Sequence, residues 1–132
     1  MRDAIYNKEL IEAAEKGDTS RVRMLLNKGA DANAQNDIGE TALIEASRNG
    51  HEKIVKMLLE SGADVNFCTS DMNCTALYSA SGNGHINVVK LLLDNGANPN
   101  VKQKYGHTAL TVASKGGHTA VVKLLLASVV SQ

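Results

Sequence analysis

Apolar residues along the chain fall into a pattern that repeats about every 33 residues. Pairs of leucines mark it four times, at 25–26, 58–59, 92–93 and 125–126. The tripeptide Thr-Ala-Leu marks it three times, at 41–43, 75–77 and 108–110. Equivalent positions are 33, 34 and 33 residues apart, and the one extra residue falls between Asn66 and Thr75, in a loop. Self-similarity at a period of this length indicates a repeat protein built of small stacked units.

The pattern inside each unit predicts two short helices followed by a polar loop. In the second unit, Thr41 is placed as the N-cap of the first helix, because its hydroxyl can accept a hydrogen bond from an N–H one turn further on. Gly50 ends that helix, and apolar residues between 54 and 59 form the stripe of a second helix. Gly62 suits the left-handed conformation that closes it. A helix pair this short buries its apolar face only against neighbouring pairs, so the pattern predicts an all-α solenoid.

The residues that carry this pattern resemble the ankyrin repeat family. The second and third copies read TALIEASRNGHEKIVKMLLESGADVN (41–66) and TALYSASGNGHINVVKLLLDNGANPN (75–100). The fourth copy is TALTVASKGGHTAVVKLLLA (108–127), and ELIEAAEKGDTSRVRMLLNKGADAN (9–33) looks like a polar first copy. The resemblance implies an α-solenoid of helix–turn–helix units joined by short β-hairpin or turn loops. We expect one domain, 1–132, with repeats at about 4–35, 36–69, 70–102 and 103–132.

Composition and charge narrow the class of partner. The chain has 14 Lys and Arg against 14 Asp and Glu, so it lacks the positive field of non-specific nucleic-acid binders. Three tyrosines, one phenylalanine and no tryptophan offer few surfaces for stacking on bases. No apolar run approaches the ~20 residues of a membrane span, and residues 1–10 do not resemble a secretory signal. We expect no nucleic-acid or membrane partner, and a monomer in the cytoplasm, or in the nucleus of a eukaryotic cell.

The balanced total hides an uneven distribution of charge. Residues 37–70 carry three positive and six negative side chains, whereas residues 104–132 carry three lysines and no acid. This polarity would orient a complementary partner and raise its rate of association; the other interpretation is that these charges only solvate the helix faces. A polyanion binder that uses the C-terminal lysines is a weaker interpretation, because three lysines provide little charge.

No group of residues in the sequence indicates an enzyme, a metal site or a cofactor. His51, His85 and His118 recur in one slot, about one repeat apart, which is too far for shared metal coordination. We expect these histidines to have a structural role at the start of the second helix. Cys68 and Cys74 fit no common zinc spacing. They are either two reduced thiols or a redox-sensitive clasp across one hairpin.

Binding surfaces follow from the resemblance, which implies that a partner meets the hairpin tips and the exposed side of the first helices. The corresponding residues of the second unit are Asp37, Ile38, Glu40, Arg48 and Asn49. Those of the third unit are Asp71, Met72, Tyr78 and Asn83, with Cys74 and Gly82 beside them. Those of the fourth unit are Lys104, Tyr105, His107 and Lys115, with Gly116 beside them. For His107, a contact residue and plain surface are equally good interpretations.

Three apolar residues, Ile38, Met72 and Tyr105, occupy the same loop slot. They would line up along one edge and could seed an interface, or each could simply shield its own hairpin. We therefore predict a protein–protein interaction module that holds a partner along the hairpin tips and the concave helix face. Small members of the family suggest masking or inhibition of that partner. The alternative is a structural segment of a longer array, which would expose the face at 124–130 and self-associate.

Overall fold

The computed structural model describes residues 2–130, with the side chains of residues 3–128, and these residues form four successive helix pairs. The pairs are α1 (Arg2–Lys16) with α2 (Thr19–Asn27), α3 (Ala42–Arg48) with α4 (Glu52–Glu60), α5 (Ala76–Gly82) with α6 (Ile86–Asp94), and α7 (Ala109–Lys115) with α8 (Thr119–Val130). The predicted all-α solenoid of paired helices is confirmed. The exact repeat boundaries stay a prediction.

Two layers of helices enclose the core. The first helices α1, α3, α5 and α7 pack on one another in succession, and so do the second helices α2, α4, α6 and α8. The first leucine of every pair is fully buried, whereas the second is partly buried or, at Leu126, 46% exposed. The fully buried leucines are Leu25, Leu58, Leu92 and Leu125. Each short helix pair therefore gains its core from the next pair, as the apolar stripe predicts.

Threonine caps begin three of the first helices, as predicted. The side chain of Thr41 accepts a hydrogen bond from the backbone N–H of Ile44 at 3.3 Å. Thr75 does the same in α5. In α7 the bond is reciprocal, because the hydroxyl of Thr111 accepts from the N–H of Thr108 at 2.8 Å while Thr108 accepts from Thr111. These caps satisfy N–H groups that the helix itself leaves unpaired.

The histidines join neighbouring units. His51, His85 and His118 precede the second helices, but the caps of α4 and α6 show no side-chain hydrogen bond from their histidines. Instead, each Nε2 donates to a backbone carbonyl of the preceding unit. The bonds run from His51 to Glu15 at 3.0 Å, from His85 to Arg48 at 2.9 Å, and from His118 to Gly82 at 3.1 Å. The three histidines therefore have a structural role, as predicted. They act at the junction between units, and His51 and His85 do not cap the helices that follow them.

Asparagines hold the loops of successive units together. The side chain of Asn33 donates to the carbonyl of Gly62 at 3.0 Å and accepts from the N–H of Asp64 at 2.7 Å. Asn66 makes the same two contacts with Gly96 and Asn98 in the next unit. Both asparagines thus supply one donor and one acceptor to backbone groups that no helix or strand satisfies.

Three short turns, which we call the tips, precede α3, α5 and α7. We name them tip 2 (36–40), tip 3 (69–74) and tip 4 (103–107), after their units. One backbone N–H to carbonyl bond closes each: Asn36 to Glu40 at 2.9 Å, Thr69 to Cys74 at 3.0 Å, and Gln103 to His107 at 2.8 Å. The extra residue of the third unit lies inside tip 3. Within residues 2–130, the β pairing is limited to an isolated bridge between Gln35 and Thr41, so the loops are turns.

A positive φ is required at one position of every tip. Gly39 and Gly106 supply it in tips 2 and 4, with φ of 80° and 86°. In tip 3 the position is taken by Asn73, with φ of 58°. Asparagine tolerates this region better than other non-glycine residues do. Its side chain also donates to the carbonyl of Lys102 at 2.8 Å, which ties tip 3 to the segment just before tip 4.

Across residues 2–130, no helix combines the length and the apolar character that crossing a membrane requires. In the same part of the chain, no three His, Cys, Asp or Glu side chains are grouped so that they could hold a metal ion.

Candidate functional site

A cleft of about 390 Å³ lies between tips 2 and 3 and the first helices that follow them. We call it the central cleft. Seven of the residues predicted to bind a partner line it: Ile38, Glu40, Arg48, Asp71, Met72, Tyr78 and Asn83. The remaining lining residues are Thr69, Cys74, Ser79, Gly82 and Val112. The structure thus brings together predicted residues from the second and third units.

The other six predicted residues lie outside the central cleft. Asp37 faces a separate cavity of about 360 Å³ beside α1. Asn49 folds back on its own helix, where its side chain donates to the carbonyl of Glu45 at 2.8 Å. The four residues of the fourth unit lie on tip 4 and at the end of α7, and all but the half-buried His107 are exposed: Lys104, Tyr105, His107 and Lys115.

The three apolar tip residues are not equally accessible. Ile38 is 68% exposed and Tyr105 is 69% exposed, whereas Met72 is half-buried. The backbone N–H of Lys104 donates to the carbonyl of Met72 at 2.8 Å, so tips 3 and 4 abut at this point. The ammonium group of Lys104 lies 5.7 Å from the centre of the Tyr105 ring, within cation–π range. Two exposed apolar side chains therefore flank a partly covered one.

Three charged side chains form a cluster at one wall of the central cleft. The guanidinium of Arg48 pairs with both carboxylate oxygens of Glu40 and, at 2.7 Å, with Oε1 of Glu45. The Arg48 side chain is 38% exposed, whereas that of Glu45 is only 5% exposed. A two-pronged contact of this kind fixes the guanidinium plane. The cluster therefore holds Arg48 flat against the cleft wall.

The two carboxyl groups of this cluster differ in acidity. Burial raises the pKa of Glu45 to about 7, and its hydrogen bond with Glu40 adds to the effect. Burial also opposes ionisation of Glu40, but hydrogen bonds with Glu45 and Arg48 outweigh it and lower the Glu40 pKa. Of these two adjacent carboxyl groups, Glu40 is ionised beside Arg48, whereas Glu45 retains its proton until about neutral pH.

The residues of tip 3 add a second charged wall. The backbone N–H of Met72 donates to the carboxylate of Asp71 at 2.7 Å, and this bond, helped by Thr69, lowers the pKa of Asp71. Burial raises the pKa of the Cys74 thiol, and the negative charges of Asp71 and Glu40 raise it further. Burial likewise raises the pKa of Tyr78. The cleft interior is therefore partly desolvated, and carboxylates border it.

Helix α5 shapes the floor of the central cleft with a glycine. A Cβ added at Gly82 would lie 3.2 Å from Cγ2 of Val112, on the neighbouring helix α7. A side chain at Gly82 would therefore crowd Val112 and fill part of the cleft. The glycine keeps α5 and α7 close together and the floor open.

Glu45 is the member of the charged cluster that the sequence analysis missed. Its side chain is buried in α3. The equivalent slots hold Ser79 in α5 and Val112 in α7. Comparing the units with one another would have singled out Glu45, because a carboxylate replaces a small or apolar residue there. Its partners Glu40 and Arg48 could not be read from that comparison.

Both cysteines are free thiols in the structure, and each is partly buried. Tip 3 is closed by hydrogen bonds and not by a disulfide. The backbone N–H of Cys74 donates to Thr69 Oγ1 at 3.1 Å, and the backbone N–H of Thr69 donates to the carbonyl of Cys74. The turn therefore needs no disulfide to hold its shape.

Comparison with protein families gave a match over nearly the whole chain. The family described as "Ankyrin repeats (3 copies)" matches residues 10–103 and, again, residues 67–132. The two overlapping matches together span residues 10–132, whereas the description specifies three copies and the structure has four helix pairs. Comparison with curated proteins gave no match.

Proposed function

This chain belongs to the ankyrin repeat family, and we propose that it binds a partner protein along its tips and first-helix face. Ankyrin repeats are in general protein–protein interaction modules, and the family is typically non-enzymatic. The observation that carries the proposal is a pair of exposed apolar tip residues: Ile38, which lines the central cleft, and Tyr105 on tip 4, which abuts tip 3. Exposed aromatic and aliphatic groups beside a cavity are the usual anchors of an interface.

The proposed binding surface has a centre and two flanks. The residues at its centre are those of the central cleft: Ile38, Glu40, Arg48, Asp71, Met72, Tyr78 and Asn83. Its flanks are Asp37 and Asn49 on one side and, on the other, Lys104, Tyr105, His107 and Lys115. A partner covering this surface would be masked where it is bound, so inhibition by occlusion is the expected consequence for the partner.

Charge supports a preferred orientation of that partner. The second unit is acidic, with six negative against three positive side chains in residues 37–70, and residues 104–132 carry three lysines and no acid. Both regions contribute to the proposed surface. A partner of opposite polarity would associate faster at low ionic strength than at high ionic strength.

The proposal is tested by removing the apolar tips while leaving the core intact. In the tip variant, Ile38, Met72 and Tyr105 are replaced together by alanine. In the control variant, two large apolar side chains that are exposed elsewhere are replaced by alanine: Ile5 and Met24. Immobilised wild-type and variant chains are used for affinity capture from native lysate of the source cells, and captured proteins are quantified by mass spectrometry.

We expect the tip variant to lose a protein that wild type and control variant both retain. Melting temperatures of all three chains should remain close, because every replaced side chain is exposed except Met72, which is half-buried. If tip and control variants capture the same proteins in the same amounts as wild type, binding through the tips is wrong.

A structural segment of a longer array is the second candidate function. It is favoured by Leu126, which is 46% exposed on α8, and by a cavity of about 680 Å³ between α8 and the loop that follows α6. This candidate predicts self-association through α8, which Leu126→Ala would reduce. The first candidate predicts a monomer, so sedimentation at several concentrations separates the two.

A further inference from the structure

The central cleft combines an apolar wall with a charged one. Ile38, Met72 and Tyr78 supply apolar surface from tip 2, tip 3 and the start of α5. Glu40, Arg48 and Asp71 also line it, with Glu45 behind them. At about 390 Å³ it falls in the range of pockets that enclose a small ligand or a few side chains, which begins near ~300 Å³.

The balance of charge at this cleft is negative. Glu40 and Asp71 both have lowered pKa values and are ionised at neutral pH, and Arg48 is the one cation among the lining residues. Arg48 is already paired with Glu40, so the two charges offset each other and Asp71 is the surplus charge of the lining. The carboxylate of Asp71 is fully exposed and has no side-chain cation paired with it within 4 Å in the described part of the chain.

Asp71 lines the same cleft as the Glu40–Arg48 pair. Its charge opposes ionisation of Glu40, although the Glu40 pKa is lowered overall, and the charges of both carboxylates raise the pKa of Cys74. Glu40 is already paired with Arg48, so Asp71 is the lining carboxylate left to pair with a cation that enters the cleft. The same carboxylate would repel a phosphate or a carboxylate placed beside it.

We propose, as an extension of the proposed function, that the central cleft takes a partner segment in which an arginine or lysine adjoins an apolar residue. The cationic side chain pairs with Asp71. The apolar side chain packs on Ile38 and Met72 at the mouth of the cleft. The long aliphatic stem of arginine or lysine suits the wall formed by Tyr78, because such stems pack on apolar surface while the charged end reaches polar groups.

The test selects peptides without assuming the partner. Random 12-residue peptides displayed on phage are selected on the immobilised full chain. Each selected clone is then tested on an Asp71→Asn chain, and the fraction of clones that bind both chains equally well is counted. A matched control chain carries Asp94→Asn, which removes an exposed carboxylate at the end of α6, outside the cleft. Both substitutions are on the surface, so folding is checked simply by circular dichroism.

We expect the enriched peptides to share an arginine or lysine next to an apolar residue. The affinity of such a peptide, measured by fluorescence anisotropy, should fall about three- to tenfold on Asp71→Asn and less than about twofold on Asp94→Asn. Replacing the peptide's cation by glutamine should cause a similar loss. With that peptide, Asp71→Asn should have little further effect, which identifies the two groups as partners.

Several outcomes would overturn the inference: no enrichment, enrichment of acidic or uncharged sequences, or equal losses with the two aspartate variants. Different outcomes would contradict the proposed function itself. If selected peptides lack a cation but lose binding in the tip variant, partner binding through the tips stands and the cationic preference is wrong. If the tip variant and its control bind alike, partner binding through the tips is itself wrong.

Discussion

The imidazole ring of His85 fills the space that a side chain on Gly50 would occupy. A Cβ added at Gly50 would lie 2.7 Å from Nδ1 of His85, and the other ring nitrogen donates to the carbonyl of Arg48 at 2.9 Å. The ring is therefore held on both sides by the preceding unit. Gly17 with His51 and Gly84 with His118 show the same relationship. Each of these glycines therefore has two roles. It adopts the positive φ that ends its own helix, and it leaves room for the histidine ring of the next unit.

Replacing Gly50 by alanine should destabilise the chain more than the same change at Gly62. Both glycines have a positive φ, 73° and 90°, which costs a residue with a side chain about 1–2 kcal/mol. At Gly62 no atom lies within 4 Å of the added Cβ. At Gly50 the His85 ring would have to move and lose its hydrogen bond, so we expect at least about 1–2 kcal/mol more. Urea unfolding of both variants measures the difference.

Equal losses of stability in Gly50→Ala and Gly62→Ala would contradict this account. They would mean that backbone conformation alone explains the glycine at Gly50. Adding His85→Ala to each variant provides a control, because removing the ring should rescue part of the loss in Gly50→Ala and none in Gly62→Ala.

The Glu45 carboxyl group should make the chain less stable as the pH rises toward neutrality. Its pKa is raised from 4.5 to about 7 in the folded chain. Between these values the folded state binds a proton that the unfolded state has released, so the free energy of unfolding falls as pH increases and levels off above about 7. Glu40, whose pKa is lowered, changes stability only at more acidic pH. The expected loss is on the order of 1–3 kcal/mol.

Glu45→Gln separates this effect from all other titrations. Glutamine stays neutral and keeps hydrogen-bonding capacity, so the part of the pH dependence that comes from Glu45 should disappear. Thermal unfolding of both chains from about pH 5 to about pH 8 gives the comparison, in which the difference between them should change with pH. Parallel curves would show that Glu45 does not titrate in this range.

Leucine truncation should report which member of each leucine pair belongs to the core. Leu58 is fully buried in α4, so Leu58→Ala should cost about 2–5 kcal/mol through lost burial and the cavity left behind. Leu126→Ala removes the same atoms from a side chain that is 46% exposed and should cost less than half as much. Chemical denaturation with a common slope compares the two, and similar losses would contradict the assignment of the leucines to core and surface.

Spacing along the chain was enough to predict the helices, their threonine caps and the stacked architecture. Thr41, Thr75 and Thr108 cap their helices through residues only three positions away, so the necessary information is local. Likewise, the 33-residue period predicts which helices are neighbours, because each unit buries the apolar stripe of its helices against the next unit. The binding surface was predicted only as separate slots, of which the structure gathers seven around one cleft.

The helix pairs and their order follow from the amino-acid sequence, because helix period, capping and turn conformation depend on neighbouring residues. Which side chains of different pairs come into contact depends on the folded structure. His85 bonds a carbonyl 37 positions earlier, and Lys104 of tip 4 bonds the carbonyl of Met72 on tip 3. Contacts of this kind depend on how one unit rotates onto the next. That rotation is set by side-chain packing across the junction, which a repeat period does not encode.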